Sequence, residues 1–178
     1  MTEKEILIEA RERTDYRVLQ QICHYDMRRK PPGSKWDAVT ENAVVEIKNR
    51  DQYTYDDFDT FSLSLHKLDH LELGKKEEDK PYSAVVAIYP LSNKVVIFDT
   101  TNLNAKNAKI EWKRVKKTQY DDEEPVYVWQ PKVMLDLTEG KHTNYRTIVL
   151  DTDLSWVEED YENNIREIKK TGILVQNQ

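Results

Sequence analysis

Apolar positions recur at helical spacing in three stretches of the chain and alternate at strand spacing in several others. Near the start, Ile6, Leu7 and Ala10 share one face behind Thr2-x-x-Glu5, a capping box that predicts a helix from Glu3 to about Arg13. Tyr16 to Met27 fits a helix or a strand equally well, and Pro31-Pro32-Gly33-Ser34 ends whatever precedes it. Lys35 to Arg50 carries the clearest signal: Val39 and Val44-Val45 flank the turn-prone Thr40-Glu41-Asn42, which predicts a β-hairpin. Thr54-Tyr55-Asp56-Asp57 then predicts the start of a second helix, with Phe58, Phe61, Leu65 and Leu68 on one face and Gly74 as its end. Strands follow at Tyr82 to Tyr89 and Lys94 to Asp99, joined by Pro90-Leu91-Ser92-Asn93. Further strand-like runs occupy Ile110 to Val115, Val126 to Trp129 and Thr147 to Leu150. Ser155-x-x-Glu158 is a second capping box, ahead of a helix with Val157, Tyr161, Ile165 and Ile168 on one face and Thr171-Gly172 as its stop. Helix, hairpin, helix, strands and helix in that order predict an α/β or α+β chain, a mixed β-sheet flanked by helices.

Composition narrows this picture. A length of 178 residues points to one domain. The supply of Val, Ile, Leu, Tyr and Trp is enough for a core and excludes long disorder. No apolar run approaches the roughly 20 residues of a membrane-crossing helix. The opening Met1-Thr2-Glu3-Lys4-Glu5 is acidic, unlike a signal peptide. Cys23 stands alone, which excludes an intrachain disulfide and a cysteine zinc site. A cytoplasmic protein with no membrane partner is the expectation. The four glycines, at 33, 74, 140 and 172, are too scattered for a phosphate-cradling loop or a dinucleotide fingerprint, and no Gly-x-Ser-x-Gly elbow occurs.

A net charge of −6 argues against a general nucleic-acid coat protein, but the charges are unevenly spread. Between Ala105 and Thr118, six bases (Lys106, Lys109, Lys113, Arg114, Lys116, Lys117) face Glu111 alone. Arg28-Arg29-Lys30 with Lys35 leads straight into the hairpin, while acids gather at Asp121-Asp122-Glu123-Glu124. Solvated strand edges and loops account for such runs as readily as phosphate binding does.

The hairpin holds the candidate chemistry. A turn centred on Glu41-Asn42 pairs Val39 with Val44 and sets Asp37 opposite Glu46. By strand alternation Asp37, Val39, Val44, Glu46 and Lys48 then share one face. Facing carboxylates repel, and a divalent cation relieves them, since Mg²⁺ prefers carboxylate oxygens and retains several waters. Lys48, one residue-pair along, is placed to hold a water attacking phosphorus and to stabilise the charge that develops. The plain alternative is a surface hairpin with a solvated Glu–Lys pair.

Asp37, followed by Glu46-Ile47-Lys48 at the end of an apolar strand, resembles the PD-(D/E)XK, or restriction-endonuclease-like, nucleases. The order of an N-terminal helix, an acidic hairpin, a helix soon after the lysine and another strand fits as well. The resemblance covers roughly the first half, Glu3 to about Tyr89, and implies a restriction-endonuclease-like core over approximately residues 1–99. Residues 105–172 would add extra β-strands and a helix packed on that core within one domain, 1–178. It implies a metal-dependent nuclease that hydrolyses phosphodiester bonds through a Mg²⁺-bound water, with Mn²⁺ as a substitute. Asp37 and Glu46 would bind the metal together with the Ile47 carbonyl, and Lys48 would position the water. The chain departs from the pattern before the aspartate, where Trp36 replaces the usual proline. A carboxylate on the first helix often joins the site in this family. Glu5 is taken by the capping box, so Glu9 is the first candidate and Glu12 the second. Lys67, opposite the apolar stripe of the second helix, is the matching polar addition there, although an ordinary solvated lysine fits that position too.

The resemblance further implies nucleic acid as partner, DNA ahead of RNA, gripped by Arg28, Arg29, Lys30, Lys35, Lys67, Lys113 and Arg114. A homodimer is a possibility for a nuclease that cuts both strands, and a single-domain nuclease of this pattern suggests a phage or mobile element. Trp36 and Tyr53 flank the hairpin and suit packing more than base stacking. His66 and His70 have zinc-ligand spacing but no third ligand in view. Two other readings stay open: a nuclease-like fold without catalysis that binds nucleic acid or protein, and an ordinary α+β interaction protein.

Overall fold

The computed structural model describes residues 1–23, 26–117 and 124–176, with side chains as far as Thr171. Of the acidic run at 121–124, only Glu124 falls within them. The first helix, α1 (Glu3–Ile22), starts at the expected capping box: Thr2 Oγ1 accepts from the Glu5 N–H, and Glu5 accepts from the Thr2 N–H. It runs nine residues beyond Arg13 because Ala10, Thr14, Val18 and Leu19 continue one buried stripe. The segment from Tyr16 onward is therefore helix as far as Ile22, followed by the short strand β1 (Met27–Arg29).

The hairpin forms as β2 (Ala38–Thr40) and β3 (Ala43–Asn49), with Val39 opposite Val44 and Ala38 opposite Val45. Thr40 Oγ1 locks the turn by accepting from the backbone N–H groups of Asn42 and Ala43. The chain departs from the expected helix after Thr54. Tyr55–Asp57 is a single 3₁₀ turn, and Thr60–Ser64 is a strand, β4, before the second helix α2 (Leu65–Glu77) begins. Phe61 and Leu63 are buried while Ser62 and Ser64 face away, so the period there is two and not 3.6.

Strands β5 (Tyr82–Tyr89) and β6 (Lys94–Asp99) match their expected limits. The strand β7 (Ile110–Lys117) and the long β8 (Val126–Asp136) follow, then β9 (Gly140–Lys141), β10 (Arg146–Asp151) and the helix α3 (Val157–Gln176). Gly172 does not stop α3, which continues to Gln176. Ser155 does not close a capping box: its N–H and hydroxyl both donate to Asp153.

Seven strands make a mixed sheet in the order β1-β2-β3-β5-β6-β10-β9, and β4-β8-β7 form a second sheet. The α/β class, a mixed sheet flanked by helices, is therefore present. β3 and β5 run parallel, joined through β4 and α2. The second half is built into the same sheet, since β10 pairs with β6 along its whole length. Helices α1 and α3 pack together over Ala38, Val45, Val86, Ile88 and Val95. The opposite face, Val39, Val44, Val85, Ala87 and Val96, meets α2 and the small sheet through Leu68, Leu71, Phe61 and Val133. Central β5 is thus buried on both sides, as a strand between two layers must be.

Gly74 does not end α2 but lies within it, pressed against the hairpin. A Cβ there would stand 3.1 Å from two ring atoms of Trp36 and 3.3 Å from Val44 Cγ1. Gly74→Ala is expected to lose about 1–3 kcal/mol by overpacking, whereas an unobstructed helical glycine gains about 1 kcal/mol on the same change. Urea unfolding measures the sign.

Candidate functional site

Strand alternation puts Val44, Glu46 and Lys48 on the face of β3 that α2 covers, and α2 brings Lys67 over them. Asp37 lies one residue before β2. Its N–H donates to the Val45 carbonyl (3.0 Å), and its Oδ2 accepts from the Ile47 N–H (2.7 Å). Asp37 is therefore pinned beside Glu46, the register expected from the turn. In an extended strand a residue's carbonyl leaves by the same edge as its N–H, so the Ile47 carbonyl also faces the Asp37 side.

These groups line a cleft of about 340 Å³, together with Asp15 of α1. Glu46 is 1% exposed. Its Oε1 stands 2.8 Å from Lys48 Nζ and 3.0 Å from Lys67 Nζ, yet neither Glu46 oxygen has a hydrogen bond of good geometry. A carboxylate buried this deeply is costly unless its lone pairs are met. Burial raises the Asp37 carboxyl to about 6, and the negative charge of Glu46 adds to it. The Ile47 N–H, Lys48 and Lys67 pull the other way. Asp15 is likewise pushed up to about 6, first by burial and in part by Asp37, against a hydrogen bond from Asn49 Nδ2 (2.7 Å). Asp15, Asp37 and Glu46 thus share one cleft with the ammonium groups of Lys48 and Lys67.

The donor set suits a hard cation. Asp37 and Glu46 offer carboxylate oxygens on one side, Ile47 offers a carbonyl, and Glu46 has oxygen lone pairs without hydrogen-bond partners. Among the described residues, no three Asp, Glu, His or Cys side chains converge as a metal-holding group. Two carboxylates and one carbonyl would leave a bound ion to complete its shell with water. No family model, curated protein or solved structure matches this chain. The chemistry of the cleft therefore rests on its geometry.

The remaining expected site residues lie as follows. Glu9 is not in the cleft: Arg29 holds both its oxygens (3.0 and 2.8 Å) and Arg13 shares one. Glu12 reaches the cleft wall but is paired with Arg29 (2.7 Å). Asp15, six residues further along the helix, lines the cleft where Glu9 does not. It was missed because the helix was expected to end at Arg13; extending the Ala10, Thr14, Val18 stripe would have found it. Arg28 and Lys30 both pair with Glu78; Arg28 stays exposed despite this pair, and Lys35 is exposed in the loop after Gly33. Lys113 lies on the small sheet beside Arg50 and Phe61, and Arg114 covers the Tyr127 ring. His66 and His70 meet edge to face. Trp36 is buried, with its Nε1 donating to Glu78 (3.3 Å).

Sequence reasoning also passed over Lys132. Its Nζ donates to Ser64 Oγ (2.8 Å), and burial, then the positive charges of Arg50, Lys48 and Lys113, lower its pKa. Cations thus continue from the cleft toward the small sheet. No helix among the described residues is long and apolar enough to cross a membrane.

Proposed function

We propose that this chain is a metal-dependent nuclease of the PD-(D/E)XK, restriction-endonuclease-like kind, hydrolysing phosphodiester bonds of nucleic acid, DNA ahead of RNA. The observation that carries the reading is Glu46: a fully buried carboxylate beside Asp37, with Lys48 at 2.8 Å, in the middle of the interior strand β3. Mg²⁺, or Mn²⁺ in its place, would be held by Asp37, Glu46 and the Ile47 carbonyl. When bound it would supply a Lewis acid for the scissile phosphate and for the attacking water.

The chain's own groups do the rest. Asp37, which lines the cleft, is oriented by the Ile47 N–H, which fixes one of its oxygens. Lys48 orients the attacking water by hydrogen bonding and offsets the charge growing on the phosphate oxygens. Lys67 holds Glu46 in place and keeps a second positive charge at the same point. Asp15, with a carboxyl near 6, is a proton acceptor suited to neutral pH. Lys132 and Lys113 extend the positive path along which a phosphate backbone would lie.

One observation favours a second reading, a nuclease-like binding module without catalysis. Lys48 and Lys67 already neutralise Glu46 without any metal. Incubation of single-stranded, duplex and branched DNA and RNA with Mg²⁺, Mn²⁺ or EDTA separates the two. Cutting in Mg²⁺ and Mn²⁺, abolished by EDTA and by Lys48→Ala and Asp37→Asn, is expected. No cutting by folded wild-type protein on any substrate would leave the binding module.

A further inference from the structure

Beyond Pro131 the β7–β8 pair leaves the body of the protein. β4 pairs only with Lys132 to Asp136 of β8, whereas β7 pairs with β8 from Ile110 opposite Val133 to Lys117 opposite Val126. The register is unbroken, so one face can be followed along the strands. Near the body that face is Val133 and Leu135, both fully buried in the core. Further out it continues as Pro131, Trp129 and Tyr127 on β8 and as Trp112, Arg114 and Lys116 on β7. There nothing among the described residues covers it: Trp112 is 65% exposed, Trp129 66% and Tyr127 49%. Two tryptophans left this open are an uncommon use of large apolar surface in a soluble fold.

The arrangement is specific. Arg114 lies opposite Trp129 and stacks over the Tyr127 ring at 4.5 Å, and Lys116 lies opposite Tyr127. Trp112 and Trp129 are diagonal neighbours, about 7–8 Å apart along the sheet. Flat aromatic surfaces thus alternate with cations on one side of a two-stranded arm. We propose that this face binds nucleic acid with unpaired bases, which stack on Trp112, Trp129 and Tyr127 while Arg114 and Lys116 meet the phosphates. Charge complementarity selects this partner over an apolar one, because a purely hydrophobic occupant would bury two cations that have no counterion among the described residues. Unpaired bases are required because in a duplex each base face is already stacked and out of reach of a side chain. As a statement about substrate this rests on the nuclease reading; as a binding site it stands apart from cutting.

The test is fluorescence anisotropy of a labelled oligothymidylate of roughly 16 nucleotides, in EDTA, with a blunt duplex of the same length beside it. The wild-type chain is expected to prefer the single strand. Trp112→Ala with Trp129→Ala is expected to weaken binding by at least about 30-fold, with unchanged circular dichroism because both rings are exposed. Arg114→Ala with Lys116→Ala is expected to reduce the salt slope of binding by about 1.4. Binding indifferent to the tryptophans overturns the proposal. So does a self-associated wild type that the tryptophan pair converts to monomer without losing oligonucleotide affinity, since a second copy is then the occupant. Metal-dependent cutting that survives the tryptophan changes on single strands would sink this inference and spare the nuclease. Tryptophan-dependent binding without cutting does the reverse.

Discussion

Lys48→Ala is expected to lower Mg²⁺-dependent cleavage by on the order of 10²–10³-fold while leaving the chain folded. Two features of the cleft set that expectation. Lys48 extends from a central strand, so its Nζ is held 2.8 Å from Glu46 and does not search a range of positions as a surface lysine does. It is also 31% exposed, so the ammonium touches both the buried carboxylate and the space where a phosphate would lie. Removing one member of a buried ion pair usually costs about 3–5 kcal/mol because the other charge is stranded. Here Lys67 remains 3.0 Å from the same oxygen, so the loss of stability is expected to fall below that range. Initial cleavage rates and a urea unfolding curve, measured on one preparation, distinguish lost chemistry from lost structure. A variant that unfolds at the wild-type midpoint and still cuts at the wild-type rate removes Lys48 from the reaction.

Asp37→Asn is expected to abolish the same cleavage and, at neutral pH without metal, to make the protein more stable than wild type. Folding places Asp37 in a site where burial and the charge of Glu46 both oppose ionisation, and its carboxyl rises to about 6. The unfolded chain releases that proton near pH 4. Between those values the native state holds the extra proton. The stability this carboxyl contributes is therefore complete below about pH 4 and is lost as pH rises through about 6, by on the order of 3 kcal/mol. Asparagine keeps an oxygen for the Ile47 N–H and has no charge to strand. The variant's advantage over wild type is expected to be on the order of 1–3 kcal/mol at pH 7.5 and to vanish near pH 4. Mg²⁺ is expected to stabilise wild type and not the variant, because a cation that binds only the folded site raises apparent stability by mass action. Denaturation at several pH values, with and without Mg²⁺, reads both effects. A variant less stable than wild type at pH 7.5 would mean that Asp37 serves the fold and not a metal.

The hairpin was legible in the sequence because its information is local. Val39, Val44 and Val45 around Thr40-Glu41-Asn42 set a register. Strand alternation then carried Asp37, Glu46 and Lys48 to one face without further help. Strands β5 and β6 were equally readable, since Pro90 and Asn93 punctuate two apolar runs. The helix expected from Thr54 failed for the opposite reason. Phe58, Phe61, Leu65 and Leu68 satisfy helical spacing, but Phe61 and Leu63 gain more by pairing beside β8, a partner some seventy residues away. Glu9 failed similarly. Its face of α1 is turned to Arg29, and the choice of Asp15 depends on where α1 crosses the sheet.

What the sequence determined by itself was the periodic part: which residues face the same way along a strand or helix, and so that two carboxylates and a lysine meet. Only the tertiary structure decided what surrounds them. Burial of Glu46 to 1%, the arrival of Lys67 and Asp15 from separate helices, and the uncovered tryptophans of the β7–β8 arm all depend on contacts between distant segments. Those contacts are selected by packing the whole core at once. A side chain's neighbours along the chain fix its direction, but its dielectric surroundings and charge partners are fixed by the layer that closes over it.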